Sequence, residues 1–82
     1  MLHIEIAYCT DWKYTKQAVG LKKSLQAVFG SQVEDIVLTP SHGGRFEVTV
    51  NGRLIYSKLA TGRHAQPGEV EGLVRKILEK ES

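Results

Sequence analysis

The sequence holds a single cysteine, Cys9, so no disulfide can close within the chain, and no zinc site can be built from thiolates alone. Charge of neither sign dominates: 11 Lys and Arg stand against 9 Asp and Glu. The basic residues are spread from Lys13 to Lys80 rather than blocked together, which argues against nucleic acid as a partner. No apolar run approaches the ~20 residues that span a bilayer, and the N-terminus has no basic region followed by an apolar core. The expectation is a soluble, cytoplasmic protein with no membrane partner. Paired carboxylates and a Ser-His-Asp set are missing, which leaves hydrolase chemistry without support. Gly43-Gly44 precedes a strand pattern and lacks the Lys and Ser/Thr of a phosphate loop, while His3 and His64 lack ligand spacing. No metal and no bound cofactor are expected.

What is present suffices for a folded domain. Apolar residues make up 41% and charged residues 24%, far from a disordered composition. The 82 residues read as one domain, 1–82, too small to enclose a large ligand cavity. Leu2 to Tyr8 alternates, with Leu2, Ile4, Ile6 and Tyr8 on one face, and predicts a strand. From Asp11 the period changes. Ala18, Leu21, Leu25, Val28 and Phe29 recur at helical spacing, Thr10 or Asp11 can cap the start, and Gly30 ends the run. Gly20 inside this helix costs about 1 kcal/mol relative to alanine and suggests close packing against a strand.

Val33 to Leu38 predicts a second strand whose apolar end, Ile36-Val37-Leu38, suits cover on both faces. Thr39 to Gly44 reads as a loop interrupting the sheet. Residues 45–50 and 53–58 alternate around Asn51-Gly52, the signature of a two-residue type I′ hairpin. Pro67 suits the first turn of a final helix bearing Val70, Leu73, Val74, Ile77 and Leu78. A helical crossover makes the first two strands parallel and the hairpin is antiparallel, so the expected architecture is α/β (α+β): β-α-β-β-β-α, a four-stranded mixed sheet with two helices.

Tyr8-Cys9 at the first strand–helix junction, Pro40-Ser41 followed by Gly43-Gly44-Arg45-Phe46-Glu47-Val48, and the hairpin Asn51-Gly52-Arg53-Leu54-Ile55-Tyr56-Ser57-Lys58 together resemble the selenoprotein W-like (Rdx) family. The resemblance spans nearly the whole chain. It implies a thioredoxin-like fold and thiol redox chemistry, with Cys-x-x-Cys or Cys-x-x-Sec after the strand-1 tyrosine. Cys9 takes the first position of that motif and Trp12 the second, so this chain has lost the resolving thiol. The resemblance also implies a location for Pro40 near where thioredoxin-like folds often carry a cis-proline opposite the thiol, but only about 5–6% of X–Pro bonds in folded proteins are cis, so a trans turn is the default expectation.

Two readings of the junction follow. In one, Cys9 sits near the positive end of a helix, where free N–H groups favour thiolate, and forms mixed disulfides with glutathione as co-substrate or with a protein partner. In the other, the chain keeps the fold without catalysis and presents Trp12, Pro40 and Ser41 to a partner protein. Trp12 itself reads either as an aromatic stacked over the thiol or as a core residue closing the sheet. His42 could act on the thiol if it reached Cys9.

Overall fold

The computed structural model describes residues 1–81. The elements run β1 (Leu2–Cys9), α1 (Trp12–Phe29), a 3₁₀ turn (Gly30–Gln32), β2 (Val33–Ser41), β3 (Phe46–Val50), β4 (Arg53–Ser57), α2 (Lys58–Thr61) and α3 (Glu69–Glu81). The four strands lie in the order β2-β1-β3-β4, with β1 parallel to β2 and antiparallel to β3, and β3 antiparallel to β4. The mixed sheet is the expected one. Three α-helices stand among the described residues rather than two, because the chain turns helical directly after Ser57.

Alternation along β1 decides where the core forms. Leu2, Ile4 and Ile6 are fully buried and meet Ile36 of β2, Phe46, Val48 and Val50 of β3, and Tyr56 of β4. Ala18, Leu25 and Phe29 of α1 and Val70 and Val74 of α3 close over this same face. One face of the sheet is thus covered by both long helices. The other bears His3, Glu5 and Ala7 of β1, and is laced by polar pairs: His3 Nδ1 with Asp35, and Thr39 Oγ1 donating to Glu5 Oε2 at 2.8 Å. Val37 on this side is 40% exposed, so the apolar end of β2 is an edge strand covered on one face rather than a strand buried on both.

Several boundaries differ from the sequence pattern for physical reasons. β2 continues through Thr39 and Pro40 to Ser41, pairing with Ala7, Tyr8 and Cys9. Proline is tolerated there because β2 is an edge strand and its missing N–H takes no ladder bond from the sheet. The expected loop is therefore confined to the four residues 42–45, where Gly43 (φ 73°) and Gly44 (φ 72°) supply consecutive left-handed conformations. α3 begins after Pro67, not with it, because Gly68 (φ 82°) is outside helical space. Gly20 meets no atom within 4 Å of a Cβ built on it, so it is an open notch on α1 and not a close contact.

The turns obey their local chemistry. Asn51 (φ 52°) and Gly52 (φ 81°) form the expected hairpin turn. A bulge follows, since Thr49 faces Leu54 whereas Val48 faces Tyr56. Glu47 then fastens the end of β4 to α2: its Oε1 accepts from Ser57 Oγ at 2.6 Å and its Oε2 from Lys58 N at 2.9 Å. No helix among the described residues is long and apolar enough to cross a membrane.

Candidate functional site

Strand order builds the site. β2 and β3 flank β1 on opposite sides, so the connection between them must pass the carboxyl end of β1. That end is Cys9. Its backbone N–H donates to Arg45 O at 2.8 Å, and the N–H of Thr10 donates to Ser41 O at 3.3 Å. The thiol is therefore held where the strand stops, flanked on one side by the end of β2 and on the other by the approach to β3.

Strand pairing brings three of the sequence-identified residues together. Cys9 is in register with Ser41, and Pro40 with Tyr8. Cys9 is half-buried, and its sulfur has no hydrogen-bond partner among the described residues. Pro40 is exposed and trans, the default expected for it, since the described residues contain no cis peptide bond. His42 is exposed and has neither a hydrogen bond nor an ion pair among the described residues. It does not stand as a partner of the thiol.

Trp12 lies apart from this trio. It opens α1 with 69% of its surface exposed, which rules out the core reading. Lys13 Nζ lies 5.8 Å from the ring centroid, a cation–π distance. The ring lines a shallow groove with Thr10, Thr15, Lys16, Val19, Gly20 and Lys23, and Cys9 is not among the lining residues. Tyr14, two residues on, points inward against the core, as helical geometry requires.

Asp11 sets the electrostatics of the junction. Its carboxylate accepts from Lys13 N at 3.0 Å and its carbonyl from Tyr14 N and Thr15 N, each at 3.0 Å. The helix terminus thus meets an aspartate of its own before it meets Cys9. Asp11→Asn keeps the cap and removes the negative charge two residues from the thiol. Cys9 of that variant is expected to alkylate about two- to fivefold faster at neutral pH, the equivalent of about 0.3–1 kcal/mol of terminus electrostatics. Timed iodoacetamide labelling with mass detection checks this.

A second cluster beneath the connection carried no sequence signal. His64 packs edge-on against Tyr14, with ring centroids 4.8 Å apart, and against Phe46 at 6.2 Å, while Lys58 Nζ lies 5.5 Å from the Tyr14 ring. The Nδ1 of His64 is sealed from solvent without a partner. Burial, and then the charge of Lys58, push the imidazole below its usual 6.5. Nearby, Arg63 pairs with Glu69 through both carboxylate oxygens, at 2.8 and 2.9 Å. That bond, with Gln66 N donating to the same carboxylate, holds Glu69 down to about 2. Only the spatial neighbours reveal this cluster, since residues 14, 46, 58 and 64 are scattered in sequence.

Both shifts give stability the same sign. The folded state resists protonation of His64 and of Glu69 more than the unfolded chain does, so stability rises with pH where the unfolded chain binds the extra proton. The His64 contribution is complete above about 6.5 and is lost as pH falls through the lower folded value. That of Glu69 is complete above 4.5 and is lost as pH falls toward about 2. The melting temperature is expected to fall in two stages on acidification, and His64→Phe removes the upper stage alone. Thermal melts taken from above pH 6.5 down to about pH 2, a span set by those two groups, test it.

Comparison with known proteins agrees with this fold. The Rdx family model matches residues 3–76. A selenoprotein W-related protein from Vibrio cholerae superposes with a TM-score of 0.86 at 29% identity, over 93% of this chain and 95% of that one. A protein from Bordetella parapertussis gives a TM-score of 0.86 at 25% identity, over 92% and 95%. No curated protein matches the chain.

Proposed function

This chain belongs to the Rdx family, with the selenoprotein W-related, thioredoxin-like fold, and on that basis we propose that it is a monothiol redox protein working through Cys9. The observation that carries the reading is the position of that thiol: half-buried at the carboxyl end of β1, beside Ser41, and free of any side-chain hydrogen bond among the described residues. The Cys9 thiolate attacks one sulfur of an oxidised disulfide, forming a mixed disulfide and expelling the other sulfur as a thiolate. A thiol from a second molecule then attacks the mixed disulfide, carries off the bound sulfur as a new disulfide, and returns Cys9 reduced. Trp12 stands where a resolving thiol would close this cycle internally, so both external sulfurs come from glutathione or a protein partner.

The test is incubation with glutathione disulfide followed by intact-mass measurement, with one glutathionyl group on Cys9 as the expected product. A second reading draws on the 69% exposure of Trp12: a binding module in which the thiol is dispensable. Cys9→Ser separates the two. Loss of function in the host with folding intact supports the redox reading, and full function supports the module.

A further inference from the structure

The surface of α1 that faces away from the core has an unusual charge pattern. The helix carries four lysines, Lys13, Lys16, Lys22 and Lys23, and no Asp or Glu between Trp12 and Phe29. Helix electrostatics favour acids, not lysines, in the first turn, yet the first turn of α1 holds Lys13 and no acid. Lys16 and Lys23 have no acidic partner among the described residues. Asp11 is engaged in capping α1, and Glu71 accepts from Ser24 Oγ of the same helix at 2.5 Å.

The same surface carries an apolar track. Trp12 (69% exposed) and Val19 (38% exposed) stand seven residues apart, two turns along one face, with the open notch of Gly20 beside Val19. Lys16 lies between them and Lys23 one turn beyond. The groove starts at Thr10, the residue after Cys9. We propose that this groove docks an acidic segment of a partner protein, whose carboxylates meet Lys16 and Lys23 while an apolar side chain lies between Trp12 and Val19.

Charge complementarity selects the occupant. A nucleic acid would leave Val19 and the Gly20 notch unmatched, and α1 has no arginine to fork onto phosphates. An acidic protein segment with an apolar side chain matches both features. This inference rests on the monothiol reading and deepens it, because the docked protein is then the molecule that brings the external sulfur to Cys9.

Trp12 is the only tryptophan of the chain, so its fluorescence reports on the groove directly. The titration uses the Cys9→Ser chain, in which docking is expected to survive although disulfide chemistry cannot occur. The probes are a short peptide of glutamates with one leucine, its glutamine counterpart, and polyuridylate RNA. The acidic peptide is expected to shift the emission to the blue, to bind about tenfold tighter than the glutamine peptide, and to weaken with salt. Lys16→Glu/Lys23→Glu should remove that preference without altering the melting curve appreciably. Equal response to both peptides, a stronger response to RNA, a shift that appears only on raising the protein's own concentration, or no shift at all would each overturn the proposal. A blue shift here with no adduct on native Cys9 would fail the redox reading alone, and the converse would fail docking alone.

Discussion

Ile6→Ala is expected to destabilise the chain by about 2–5 kcal/mol, the usual range for removing a branched core side chain. Ile6 is fully buried at the centre of the sheet, in register with Leu38 on one side and Val48 on the other. The helices that cover it close the cavity only partly, so the loss includes both transfer and void terms. Native domains hold roughly 0.05–0.15 kcal/mol per residue, which for 82 residues is about 4–12 kcal/mol in all. One substitution on β1 therefore removes a large part of the stability. At about 4–8 °C per kcal/mol for a domain of this size, the melting temperature should fall by about 8 °C or more. Val37→Ala, on the exposed side of β2, serves as the control and should shift it by only a degree or two.

That contrast also shows how the sequence encodes the fold. The alternation of Leu2, Ile4 and Ile6 was legible because a strand covered on one face repeats every two residues, and the structure buries those three side chains. Asn51-Gly52 was legible because few residue pairs accept two positive φ angles in succession. Pro40 misled: its composition reads as loop, yet an edge strand accepts it, and edge position is a property of the whole sheet. The short helix α2 was hidden for a similar reason. Ser57 caps it by accepting from Ala60 N, but Glu47, ten residues earlier, orients that serine. The site shows the same division. Cys9 could be found at its junction from sequence, and so could Trp12. That Ser41 lies beside Cys9, that Trp12 faces outward along α1, and that His64 packs under Tyr14 all depend on how distant segments meet.

Cys9→Ser is expected to abolish disulfide formation completely, since no second sulfhydryl exists to take over. The same change should leave the fold nearly untouched. Cys9 is half-buried at a strand end, its backbone bond to Arg45 O is indifferent to the side chain, and serine is close in size. The melting temperature of the variant should stay within a few degrees of the parent, a shift of about 1 kcal/mol or less. This pairing of total chemical loss with a small structural effect distinguishes a reactive thiol from a packing cysteine. A cysteine that served chiefly as a small core hydrophobe would give the reverse, little chemistry to lose and a marked fall in stability.

The most direct test is the state of Cys9 in the native protein after exposure to glutathione disulfide at neutral pH, read by intact mass and then again after reduction. A monothiol redox protein is expected to gain one glutathionyl group, on Cys9 alone, and to lose it fully when an external thiol is added. A thiol that stays unmodified while a free cysteine peptide in the same solution is converted would contradict the account.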